Sequence, residues 1–188
     1  MIKDFFIFVF ELVKIVVISL VIIIPIRYFL IQPFYVKGAS MEPNFYDKEY
    51  LIIDEITYRF ETPKRGDIVV FRYPQDPQEY FIKRVIALPG EKVQLKNGDV
   101  YVFNKDNPDG FKLDEAYLPA GLKTYALSED PVTVTDNQFF VLGDNRNSSR
   151  DSRYFGPVNK SFFIGKVLFR GWPFDRVKVF KSQQYNYN

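Results

Sequence analysis

Apolar residues run almost unbroken from residue 5 to residue 31, with Glu11, Lys14 and Arg27 as the charged interruptions and Gln32 at the exit. About 20 apolar residues cross a bilayer, and residues 12–31 supply that length. Glu11 and Lys14 lie three apart, so on a helix they share one face, near one headgroup region. Pro25 is tolerable in a membrane helix. A cleaved signal peptide would have a shorter apolar core and an Ala-x-Ala-like exit, whereas here Gln-Pro-Phe-Tyr follows. A buried soluble helix would more usually carry a polar stripe. The pattern predicts a retained single-pass anchor within residues 1–32.

After the anchor the period changes. Short apolar-alternating runs are separated by turn chemistry, which predicts an all-β domain over residues 33–181. Strands are expected at 50–53, 68–73 and 79–87, with Pro74-Gln-Asp-Pro77 breaking the second from the third, its hairpin partner. Residues 92–96 and 99–103 flank Asn97-Gly98, a strong hairpin signal. Further strands are expected at 132–135, 139–142, 162–169 and 176–180. Residues 104–130 are polar, without periodicity, and read as a surface excursion. Residues 182–188 read as a frayed tail.

Composition sharpens the picture by exclusion. Aromatic residues make up 18% of the 188 residues, which favours strands beyond the first segment. The net charge is +2, and the chain after the anchor is close to neutral, so nothing supports a nucleic-acid partner. There is no cysteine and no histidine. That excludes disulfides, a thiol nucleophile and the commonest general base and metal ligand. No D-x-D-x-D-G loop suggests a carboxylate cation site, so neither metal nor cofactor is expected.

Candidate chemistry then falls on few residues. Ser40 follows Gly38 just past the anchor; taken alone, such a serine is more often a turn residue than a nucleophile. If it reacts, its base must be something other than histidine, and lysine is the leading candidate. Lysine serves as a base only when burial lowers its pKa from about 10.4. Lys83 fits best, because alternation places it on one strand face with Phe81, Val85 and Ala87, opposite Tyr80, Ile82, Arg84 and Ile86. The competing reading is an edge-strand lysine that blocks unwanted pairing. The cluster Gly143-Asp-Asn-Arg-Asn-Ser-Ser-Arg-Asp-Ser-Arg153 normally means a well-bonded loop. Its arginines and aspartates could also cross-pair, and a loop serine could orient a neutral amine.

Four stretches in order, Gly38-Ala-Ser-Met-Glu-Pro43, Gly66-Asp-Ile-Val-Val-Phe71, Lys83-Arg-Val-Ile-Ala-Leu-Pro-Gly90 and Gly143-Asp-Asn-Arg…Asp-Ser-Arg153, resemble the boxes of bacterial type I signal peptidases. These are membrane-anchored serine endopeptidases that cleave signal peptides from exported proteins. The resemblance implies a mainly β fold, a single transmembrane helix followed by a catalytic domain of coiled antiparallel sheets on the outer face of the cytoplasmic membrane, with the N-terminus inside. It implies Ser40 as nucleophile, Lys83 as general base, Ser149 as the serine that hydrogen-bonds the lysine, and Asp144 and Arg153 as a supporting salt-bridged pair with Asp151 beside them. Met41, Phe81 and Ile82 would contact substrate, signal-peptide-bearing precursors would be the partners, and Phe34, Tyr35, Trp172 and Phe174 would reach the lipid interface. Three departures stand out. Gly38 occupies a position that holds a hydroxyl oxyanion donor in some members, leaving the Ser40 backbone N–H as donor. Ser148 stands where Asn usually precedes the orienting serine, and Asn44-Phe45 replaces Thr-Leu. The short stretch between Val93 and Gln138 implies that the large extra domain of some members is missing. Two rivals are a Ser-Lys protease that cleaves itself or a regulator, where a DNA-binding domain would replace the span, and a tethered peptide-binding domain with a silent dyad.

Overall fold

Period-two burial organises everything after the first helix. The structure is a computed structural model that describes residues 2–29, 31–180 and 185. Helix α1 (Ile2–Phe29) starts earlier than the hydrophobic run alone implied, and its segment Ile2–Ile24 is long and apolar enough to cross a membrane. The helix takes in most of the expected span, and Ile31, expected in the helix, opens a strand instead. That strand, β1 (Ile31–Tyr35), was not anticipated because Gln32 and Pro33 break any alternation; Pro33 is accommodated because β1 is an edge strand, paired to β2 (Tyr50–Asp54) on one side only.

Asp54 accepts from the amides of Ile56 and Thr57 at 3.0 Å and starts the single turn α2 (Thr57–Phe60). Strands β3 (Ile68–Tyr73) and β4 (Asp76–Ala87) form the expected hairpin, with β4 beginning three residues early. Next come β5 (Lys92–Lys96) and β6 (Asp99–Phe103), joined by Asn97 and Gly98 at φ of 54° and 80°, the left-handed pair such a turn requires. Then follow β7 (Phe111–Lys112), β8 (Val132–Thr133) and β9 (Gln138–Leu142). A second short helix, α3 (Ser152–Phe155), precedes β10 (Val158–Asn159), β11 (Phe163–Trp172) and β12 (Lys178–Val179).

All pairings are antiparallel. The larger sheet runs β1-β2-β11-β3-β4-β9-β10, with β12 on β11, and the smaller runs β7-β6-β5-β8. The fold is thus mainly β. Both faces of the central strands are covered, which explains their near-continuous apolar runs. On β3, Ile68 and Val70 pack with Val36, Met41, Phe45 and Leu51, while Val69 and Phe71 pack with Val85, Phe139 and Val141. A third cluster joins Ile86, Ala87, Phe140 and Leu142 to the smaller sheet through Val93, Val100 and Val102. Ala87 joins Ile86 there, and not the Lys83 face as expected, because the register against β9 shifts between Val85 and Ala87.

Residues 104–130 are only partly a surface excursion: Phe111, Leu113 and Thr124 are buried. The tail expected to fray lies outside the described residues except for Tyr185, which is buried with its ring edge-on to Tyr117.

Candidate active site

The turn that follows β1 carries Ser40. Val36 closes it by exchanging backbone hydrogen bonds with Glu49 and Lys48 at 2.9 and 3.0 Å, and Met41 and Phe45 anchor it in the core. Gly38 sits at φ +85°, where a side chain would be strained, and its amide donates to Asp47 Oδ1 at 2.8 Å. From the other side, the loop after β9 grips the same turn. The Asn145 amide donates to the Ser40 carbonyl and the Asn145 side chain to the Ala39 carbonyl, each at 3.0 Å. The Asn44 side chain donates to Asp144 at 2.9 Å and to the Tyr117 carbonyl at 3.0 Å. Asn44 therefore links the nucleophile turn to residue 117, inside the stretch read from sequence as a surface excursion.

Lys83 comes from the middle of β4. Its Nζ lies 2.8 Å from Ser40 Oγ and 2.8 Å from the Ile82 carbonyl, and the Phe81 ring centroid is 5.1 Å away. The residue is 3% exposed. Burial pushes the amine pKa down to about 8, against the carboxylates of Asp151 and then Asp144, which pull it up. A charged amine donates to Ser40 Oγ; a neutral one accepts the Ser40 proton, so the same contact serves proton transfer.

Supporting residues gather here in a different pairing from the expected one. Asp144 does not bond Arg153: it takes a bidentate bridge from Arg84, with Nε and a terminal nitrogen at 2.8 and 2.6 Å. The register explains this, because Arg84 lies opposite Leu142 on β9 and Asp144 follows two residues on, towards the same face. Burial works against the Arg84 charge, but Asp144 more than offsets it, and the guanidinium stacks 3.9 Å from the Tyr117 ring centroid. Arg153 pairs instead with Asp151, at 2.8 and 2.9 Å, and Asp151 also accepts from the Gly143 amide at 3.0 Å.

Ser149 is brought to the site, but its buried hydroxyl has no hydrogen-bond partner among the described residues and does not bond Lys83. It packs on Gly143 so closely that a Cβ there would fall 2.0 Å from Ser149 Oγ and 2.5 Å from the Ser40 carbonyl oxygen. Met41, expected to contact substrate, is instead in the core, its sulfur 3.4 Å from the Asp144 amide. The reason is that the tight turn aims Met41 inward while leaving Ser40 half-buried at the groove.

A groove of about 600 Å³ opens beside the dyad. Phe34 and Val36 line one side and Tyr80, Phe81 and Ile82 the other, with Ser40 and Lys83 also in its wall. Phe34 meets Tyr80 edge-on at 5.5 Å, so it faces this groove and not the lipid. Among the described residues, β4 pairs with β9 only from Arg84 to Ala87, which leaves the edge at Asp76–Lys83 without a strand neighbour. Of the residues expected from the sequence, Ser40, Lys83, Phe81 and Ile82 come together in this groove; Asn44, Arg84 and Asn145, which hold the turn, were not expected there. Arg84 carried a usable signal, a charged residue inside a strand with apolar residues on both faces.

Comparison with known proteins places these observations in context. A family model described as signal peptidase, peptidase S26, matches residues 9–172. A probable signal peptidase I-2 of Synechocystis sp. is 42% identical over 173 residues, covering 89% of this chain and 75% of the relative. A signal peptidase I of Bacillus amyloliquefaciens is 37% identical over 176 residues, 89% of this chain and 90% of the relative. The crystal structure of a signal peptidase I from Enterococcus faecalis aligns with a TM-score of 0.46 at 31% identity, covering 57% of this chain and 97% of that one.

Proposed function

The chain belongs to the peptidase S26 family of signal peptidases, and from that membership we propose that it removes signal peptides by acyl transfer, with Ser40 as nucleophile and neutral Lys83 as general base. It is a serine endopeptidase of the signal peptidase I type, acting on signal-peptide-bearing precursors.

In the proposed sequence Ser40 Oγ attacks the scissile carbonyl as its proton passes to Lys83 Nζ. The ammonium then gives that proton to the departing amine of the mature protein. Water adds to the acyl-enzyme, Lys83 takes a proton from it, and Ser40 recovers its own as the signal peptide leaves. The Ser40 amide, which makes no hydrogen bond among the described residues, would donate to the oxyanion. The unpaired Ser149 hydroxyl, packed beside Gly143 and Ser40, is proposed to orient the amine when Ser40 gives up its proton. Bound peptide would extend along the unpaired edge of β4, with Phe81 and Ile82 shaping pockets for small side chains. Helix α1 would hold the site at the bilayer, N-terminus inside and catalytic domain on the extracytoplasmic face, with exposed Tyr35, Trp172 and Phe174 near the headgroups.

The carrying observation is a nearly dry lysine amine 2.8 Å from the Ser40 hydroxyl. The test is cleavage of a precursor with an Ala-x-Ala exit by the detergent-solubilised full chain. Ser40→Ala and Lys83→Ala should each lower turnover by roughly three orders of magnitude or more with the fold retained. Near-normal turnover by either variant overturns the dyad.

A further inference from the structure

Beneath the loop that grips Ser40 lies a second polar network, built largely from residues 115–124. Arg146, whose side chain is wholly buried, donates through both terminal nitrogens to the Glu115 carboxylate, at 2.7 Å to Oε2 and in a shorter contact to Oε1. It also donates to Thr124 Oγ1 and, at 3.1 Å, to the Tyr117 hydroxyl. Tyr117 in turn donates to Glu115 Oε1 at 2.6 Å. Burial opposes the Arg146 charge, yet Glu115 keeps its pKa above the ordinary value, so the guanidinium stays ionised and paired.

What this arginine holds is the backbone next to the dyad. Its Nε donates to the Gly143 carbonyl at 3.0 Å. Gly143 is wedged against Ser149 Oγ and the Ser40 carbonyl with no room for a methyl group, so a small shift of Gly143 displaces both serines. A second strut starts from the backbone of the same Tyr117: its carbonyl takes the side chain of Asn44, four residues beyond Ser40 on the nucleophile turn, which also bonds Asp144.

We propose that Glu115 and Tyr117 are positioning residues of the catalytic centre, fixing Arg146 and the Gly143 carbonyl so that Ser40 is held against Lys83. The inference rests on the dyad reading and assigns part of the apparent excursion to the machinery. Neither residue touches the groove, so their loss should misplace the reacting atoms without weakening peptide binding. A misplacement of about 1 Å can cost about 100-fold in rate.

The test measures kcat and KM of the full chain in detergent on one precursor peptide, with melting temperature recorded for each variant. Glu115→Gln and Tyr117→Phe should lower kcat at least about tenfold while KM stays within about twofold. Lys123→Ala removes an exposed bridge to Asp99 in the same stretch and should leave both constants unchanged. Unchanged kcat in both variants overturns the proposal, as does a loss that merely tracks a lowered melting temperature. Ser40→Ala run alongside keeps the two ideas separable: if it abolishes cleavage while Glu115→Gln and Tyr117→Phe do not slow it, the dyad stands and the positioning role falls.

Discussion

In the proposed dyad Lys83 can serve as the base because burial outweighs two carboxylates that favour its charged form. With the amine at about 8, kcat/KM should climb with pH and reach half its plateau near that value, since the neutral form is the active one. The stability sign follows from the same shift. The folded state releases this proton before the unfolded chain does, so the burial penalty is present below pH 8 and is relieved as pH rises towards the ordinary lysine value. Replacing Asp151 by Asn removes a charge that holds the proton on and leaves Arg153 uncompensated, so the rising limb should move below 8. A limb that stays put or moves up refutes this account of the amine. Gly143→Ala should cost at least about 100-fold in kcat, because its Cβ would strike Ser149 and the Ser40 carbonyl. Gly38→Ala meets no atom within 4 Å and pays only for its positive φ, about 1–2 kcal/mol of stability. Ser40 and Lys83 were legible because the missing histidine and cysteine pointed to a lysine base, alternation favoured Lys83, and the resemblance of the four ordered stretches singled out Ser40. Their holders were not, since Glu115 and Tyr117 act across a distance in sequence that no local pattern encodes.

Alternation reads well wherever a strand is flanked by strands. β3, β4, β5, β6 and β9 fall within a few residues of the positions their patterns imply, because burial on alternate faces is what those strands are selected to satisfy. It fails where geometry overrides the period. The register shift after Val85 turns Ala87 to the other cluster, and β1 forms on pairing with β2 despite Gln32 and Pro33. α2 and α3, four residues each, are too short to show a helical period and depend on Asp54 and Asp151 at their starts. The same element scale decides how substrate is held. If the unpaired stretch of β4 receives the peptide as an added strand, backbone hydrogen bonds carry much of the affinity. N-methylating one substrate amide at a time, over the few residues before the cleavage point, should raise KM about tenfold at alternate positions and little at those between. Uniform insensitivity would exclude strand addition.

For the whole molecule the open geometric question is which side of the bilayer carries the groove. Counting charges barely decides it, with Lys3 and Lys14 towards the N-terminal end of the helix against Arg27 and Lys37 towards and beyond the other end. The chemistry is more demanding. A peptidase that takes its cleavage points from chains emerging from the membrane benefits from a tethered site, because anchoring both partners raises their effective concentration. That benefit exists only if the groove and the exit of the signal peptide share one face. The absence of cysteine makes this directly measurable, since any introduced thiol is unique. Leu127 is 87% exposed on the excursion, and Lys3 lies in the first turn of α1. In intact cells a membrane-impermeant maleimide should label Leu127→Cys at once and Lys3→Cys only after permeabilisation. Labelling in the opposite order would place Ser40 and Lys83 on the cytoplasmic side, where a precursor's cleavage point would not reach them after export.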